Sequence, residues 1–181
     1  EMGHAPHVVA YADAGETIGY PLSRWPTPKP TLVHRLKTLA RQLPAHLGLA
    51  AARTGFWVEP AFRWALGELE RLRPQLVLAN DWPALVVAAA WKARHGGRVH
   101  YDVHEFATQE FDGSLWWRMV YKPMVTQLER AAIPSADSVS TVGPGLAEAI
   151  RSLYGLAHSP LAIRSTPRRV DVQQDADCRW P

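Results

Sequence analysis

Apolar positions along this chain switch between short continuous runs and stripes of helical spacing, and the switching orders the elements. The β-branched run in "HVVAYAD", residues 7–13, reads as a strand closed by a turn at "DAGE". Four prolines between positions 20 and 30 make that segment an extended loop. Over 31–43 the apolar residues Leu32, Leu36, Leu39 and Leu43 recur at helical spacing, with His34, Arg35, Lys37 and Arg41 on the remaining surface. That pattern is an amphipathic helix with a basic polar face. A further helix is expected over 60–72, stopped by "RPQ" ahead of "LVLAND", whose apolar run is that of a buried strand in a parallel sheet.

The period then repeats. Asp81 is placed to cap the apolar helix "WPALVVAAAWKARHGG", Pro83 is tolerated in its first turn, and Gly96 and Gly97 stop it. The strand "RVHYDVHE" follows. A long segment over 106–132 contains "LWWRMVYKPMVTQLERAA", helical apart from a break or kink at Pro123. The strand "DSVSTV", the helix "PGLAEAIRSLYG" and a short strand in "PLAIRST" complete the series before a polar tail. Strands alternating with helices predict an α/β fold, a doubly wound and mostly parallel sheet with ligands at the carboxyl ends of its strands.

Composition narrows the class. At 181 residues the chain suits one domain, able to bury about two thirds of its unfolded surface. Hydrophobic residues at 47% and charged residues at 20% are the balance of a folded soluble protein. The longest apolar run, "ALVVAAAW", is too short to span a bilayer, and a cytoplasmic location is the default expectation. One cysteine, Cys178, gives neither a disulfide framework nor a thiolate metal cluster. The net charge of +3 suits anionic partners such as phosphates or acidic lipid, and is too weak to imply nucleic acid.

Polar residues gather where strands end. Asn80 and Asp81 close "LVLA", and His104 and Glu105 close "VHYDV", so both pairs are expected on one rim. His100, Asp102 and His104 share a strand face, but ligands about 6.6–7 Å apart along one strand do not converge on a metal ion, and none is assigned. "GPGLAE" begins like a dinucleotide fingerprint after a strand, yet Glu148 stands where a small residue is needed and no acid follows within the next strand. An ordinary helix start at Gly143 and Pro144 is the simpler reading. No G-x-S-x-G elbow, P-loop or H-E-x-x-H motif is present.

"LVLANDWPALVVAAAWKARHGGRVHYDVHE", followed by "LERAAIPSADSVSTVGPGLAEAIRSLYG" and "LAIRSTPRR", resembles the amino-terminal domain of family 4 glycosyltransferases. The resemblance implies a Rossmann-like domain of the GT-B architecture over residues 1–167, with 168–181 as the start of an interdomain linker. It implies transfer from a nucleotide sugar to a sugar or lipid-linked acceptor with retention, without a bound metal or other cofactor. Asp102, His104 and Glu105 match the family's D-x-H-E strand end, which makes His104 the catalytic candidate, reaching the donor sugar or phosphate. Asn80, Asp81, Glu105 and Thr141 become the substrate-binding candidates. Gly143 stands where a serine is commoner, and Ser165 where the family usually has asparagine.

The same comparison implies two gaps. No pair of glutamates has the E-x7-E spacing of the family's nucleotide-binding domain, and the family's first strand, central in a sheet ordered 3-2-1-4-5-6, is expected to be missing. The resulting expectation is a partial glycosyltransferase, the acceptor-side domain, inactive alone. A non-enzymatic remnant or binding module is the alternative, and a dinucleotide-binding oxidoreductase domain a further one. The basic helix over 31–43 and the aromatic "GFWVEPAFRW" add an expectation of peripheral contact with an anionic membrane at its inner face. The competing fate for that helix is to pack its leucines into the core.

Overall fold

The computed structural model describes residues 5–11, 19–25 and 31–164. In chain order the first half holds β1 (Val8–Tyr11), β2 (Leu22–Trp25), α1 (Leu32–Gln42), a 3₁₀ turn (Leu43–Leu47), α2 (Leu49–Trp57) and α3 (Pro60–Leu72). The second half holds β3 (Leu76–Asn80), α4 (Asp81–His95), β4 (Arg98–Val103), a π-helical turn (Trp117–Tyr121), α5 (Lys122–Ala132), a 3₁₀ turn (Ile133–Ser135), β5 (Ser138–Thr141), α6 (Pro144–Tyr154) and β6 (Leu161–Ala162). Among the described residues every strand pairing is parallel, within two sheets ordered β1–β2 and β3–β4–β5–β6. This is a Rossmann-like α/β architecture. The turn expected at 13–16 and the linker expected over 168–181 lie outside the described residues.

The core lies on one face of the larger sheet. Strand alternation sends Val99, Tyr101 and Val103 of β4 to that face, where all are buried. Leu85, Ala88 and Trp91 of α4 and Met124, Leu128 and Ala132 of α5 join them in one apolar cluster, which Ile150 of α6 completes. α4 runs from its polar start to Gly96 and Gly97, both at positive φ. Asp137 ties the sheet's amino end to this layer, accepting from Lys92 Nζ at 2.7 Å and from the Val99 backbone N–H at 2.8 Å.

Two expectations need correction, and one helix was not expected. The 20–30 segment is not wholly loop, because Leu22–Trp25 pairs with Val8–Tyr11. Its prolines flank the strand rather than interrupt it, and Pro21 still supplies a carbonyl to Val8 N–H at 2.8 Å. β3 is not a buried strand. It is an edge of its sheet among the described residues, its Val77 and Ala79 side faces the core, and its other face is uncovered, leaving Leu76 and Leu78 57% and 59% exposed. α2 has no counterpart in the sequence reading, since its alanine-rich "LAAARTGFW" shows little periodic contrast.

The break at Pro123 takes a definite form. Pro123 sits in the first turn of α5, and the chain before it widens into the π-helical turn, which absorbs the ring without ending the helical path. The amphipathic helix forms as α1, but its leucine stripe is not swallowed by the core. Leu32, Leu36 and Leu43 remain exposed, and Leu39 is half-buried.

Candidate functional site

Register assembles the rim. Asn80 lies opposite Asp102, and Asp102 opposite Ser140, so the carboxyl ends of three strands sit side by side. With Tyr101 and Val103 turned inward, His100 and Asp102 occupy the other, half-exposed face. A row of hydrogen bonds runs along it. Ser138 Oγ meets His100 Nδ1 at 2.7 Å and His100 Nε2 meets Ser140 Oγ at 2.8 Å. Ser140 Oγ donates to Asp102 Oδ1 at 2.5 Å, and Asp102 Oδ2 meets His104 Nε2 at 2.8 Å.

Proton counting then sets the tautomers. Ser140 has one hydroxyl proton, which goes to Asp102, so its oxygen accepts from His100 Nε2–H. His104 donates its Nε2–H to the carboxylate, which leaves Nδ1 available on a side chain 52% exposed. Burial alone raises the Asp102 carboxyl, but the hydrogen bonds from Ser140 and His104 outweigh it and hold the group below its ordinary value. Asp102 is therefore the fixed anion of the rim, and His104 the ring it orients.

Asp81 corrects a further expectation. It does not cap α4 with its side chain, because it is already the helix's first residue and no side-chain cap bond forms at Asn80 either. Asp81 stands at φ 63°, a left-handed conformation that costs a residue with a Cβ about 1–2 kcal/mol. The twist turns its carboxyl toward the His104 backbone N–H. Burial pushes the Asp81 carboxyl up from its ordinary value, the Glu105 charge adds to the rise, and His104 opposes it.

Asn80 and Glu105 are exposed on this rim, and the Glu110 carboxyl lies against that of Glu105. Burial and then the Glu105 contact push the Glu110 carboxyl up. The rim thus joins an oriented imidazole to carboxyls shifted in opposite directions, Asp102 down and Asp81 and Glu110 up, a set suited to hydrogen bonds with hydroxyl-rich ligands. Thr141 is not part of the open rim. Its side chain is buried and its hydroxyl donates to the Val103 carbonyl at 2.7 Å.

Ser140 and Glu110 were not singled out from the sequence. Alternation in "SVST" places Ser138 and Ser140 on one face, but only register reveals that they meet His100 and Asp102. Among the described residues no group of three or more His, Cys, Asp or Glu is arranged to hold a metal ion. At the start of α6, Gly143 takes the cap position without a side-chain bond, and Glu148 pairs with Arg151 at 2.8 Å on the helix surface.

A family model described as a glycosyl transferase 4-like domain matches residues 1–165. The chain belongs to that family. No curated protein and no solved structure matches it. The match takes in every described residue of this glycosyl transferase 4-like domain, so the Asp102–His104 pair and the acidic rim belong to the family domain itself. No helix among the described residues is long and apolar enough to cross a membrane.

Proposed function

We propose that this glycosyl transferase 4-like domain forms the acceptor-side wall of a retaining, nucleotide-sugar-dependent transferase. His104 contacts the donor sugar or its phosphate, while Asn80, Asp81 and Glu105 shape the acceptor side. The observation that carries the reading is the His104 ring, held by Asp102 at 2.8 Å on a half-exposed rim where three strands end. Its Nδ1 is the hydrogen-bonding atom presented to a ligand, accepting from a sugar hydroxyl or, when protonated, donating to a phosphate oxygen. The carboxyls beside it suit acceptor hydroxyls. The nucleotide sugar is a co-substrate, no resident metal or prosthetic group takes part, and the setting is cytoplasmic.

The described chain does not transfer sugar by itself in this reading. It has no E-x7-E glutamate pair with which to hold a nucleotide, and clamping two substrates in a reactive geometry is worth roughly 7–11 kcal/mol of barrier. The test uses the 181-residue chain and a chimera completed with the first strand and donor domain of a full-length relative. The chain alone should give no transfer from any nucleotide sugar, and the chimera should be active. His104→Ala in the chimera should lower kcat about a hundredfold with the fold unchanged. Transfer by the unassisted chain overturns the acceptor-wall reading, and indifference to His104→Ala removes the role given to that histidine.

A further inference from the structure

Glu129 of α5 is a carboxyl placed where an apolar side chain of similar volume would fill the same space without a desolvation cost. Two hydroxyls from separate elements hold it there. Tyr101 Oη of β4 and Tyr154 Oη of α6 each donate to it, at 2.6 Å. The two tyrosines differ in where they lead. Tyr101 is enclosed under the sheet, whereas Tyr154 is half-buried and bonds onward to the hydroxyl of Thr108, a side chain only 4% exposed. The Tyr154 proton is committed to Glu129, so its oxygen accepts from Thr108.

Thr108 lies in the loop that leaves the candidate site. From His104 to Ser114 the chain forms turns rather than strand or helix, with Ala107 and Thr108 buried and Glu105 and Glu110 exposed on either side of them. The backbone bonds inside the loop, Gln109 N–H to the Phe106 carbonyl at 2.7 Å and Asp112 N–H to the Gln109 carbonyl at 3.1 Å, shape it without fixing where it sits. Its place is set by Phe106 against the apolar cluster, by Lys122 on Asp112 at 2.7 Å near the surface, and by Thr108. The Thr108 contact is the buried, directional one of the three, and it falls between the two acidic side chains of the rim.

We infer that Tyr154 is a positioning residue of the candidate site: through Thr108 it seats the 104–114 loop, and with it Glu105 and Glu110, against the rim, while Glu129 fixes the Tyr154 hydroxyl. What the two carboxyls then do, binding acceptor hydroxyls, rests on the acceptor-wall reading, whereas the seating of the loop does not.

The test is amide hydrogen exchange on the 181-residue chain as wild type, Tyr154→Phe and Tyr101→Phe. Each variant removes one donor to Glu129, but only Tyr154→Phe cuts the link to Thr108. Measured against the β4 amides of the same variant, exchange at Gln109, Asp112 and Ser114 should rise about tenfold in Tyr154→Phe and stay within about twofold in Tyr101→Phe. Thr108→Val leaves both donors to Glu129 in place and should reproduce the loop effect, which Thr108→Ser should not. The double variant Tyr154→Phe, Thr108→Val should release the loop no further than either change alone. In the completed chimera, Tyr154→Phe should raise KM for the acceptor about fivefold and leave kcat within about twofold. Loop exchange that rises equally in the two tyrosine variants, or in neither, overturns the inference, as does a released loop with an unchanged acceptor KM. Failure of the acceptor-wall reading shows elsewhere, as sugar transfer by the unassisted chain, so the two failures are told apart.

Discussion

Glu129 is the charged side chain that packs into the core among the described residues, 2% exposed and accepting from Tyr101 Oη and Tyr154 Oη, each at 2.6 Å. Burial pushes its carboxyl up, and the two hydroxyl donors oppose the shift without cancelling it. Burial, and then the charge of Glu129, push both tyrosines up as well. A raised carboxyl binds its proton more tightly in the folded state. Its contribution is therefore complete below the ordinary value of 4.5 and is lost as pH rises through the folded value. Urea unfolding should show wild-type stability, relative to Glu129→Gln, declining as pH rises above about 4.5. Tyr154→Phe should cost about 1–3 kcal/mol by removing a donor to a buried carboxyl, whereas Tyr20→Phe on the surface should stay within about 0.5. At the rim, Asn80, Asp81, Asp102, His104 and Glu105 were legible because strand ends concentrate polar residues. Ser140 and Glu110 were not, because their contacts cross the ladder or close a loop.

At the scale of elements, two glycines decide how neighbours meet. Gly97 stands at φ +86°, and a Cβ there would lie 2.4 Å from the Trp91 ring. Gly97→Ala should cost about 2–4 kcal/mol, combining left-handed strain with overpacking, and thermal unfolding would register it. Gly55 of α2 lets the backbone of α1 approach closely, since a Cβ there would overlap the Arg41 carbonyl and press on Met124 Cε. Gly55→Ala should therefore shift α1 and destabilise by about 1–3 kcal/mol. Chemical shifts of Leu39 and Leu43, on and just after α1, would move with it if α1 is seated through this contact. Neither glycine announces its packing role in the sequence, because that role belongs to a partner far along the chain.

At the scale of the whole molecule, the described residues form two sheets joined through helices rather than by a continuous ladder. β1 and β2 pair with each other and rest on α3, where Ser23 Oγ donates to Glu68 Oε2 at 2.6 Å and Trp25 meets Trp64 at 5.7 Å between ring centres. The larger sheet carries the apolar cluster. A two-stranded sheet has little independent stability, so amides of β1 and β2 should exchange with solvent at least tenfold faster than those of β4, by a rough estimate from local opening. Uniform protection across both sheets would show that they open as one unit.

The periodicity of apolar residues determined the alternation of strands and helices, the parallel class of sheet and the strand ends where chemistry gathers, since each depends on local spacing. It also marked α1 as amphipathic, and the motif order carried the family resemblance that the match over residues 1–165 bears out. Tertiary structure decided what those local patterns face. It made β3 an edge with Leu76 and Leu78 exposed, turned Asp81 from a helix cap toward His104, and withdrew Thr141 into the sheet. It also left Leu32 and Leu36 of α1 on the surface. Spacing along a chain specifies which side chains share a face, but burial depends on what other segments bring to that face, and that is settled only when the chain packs.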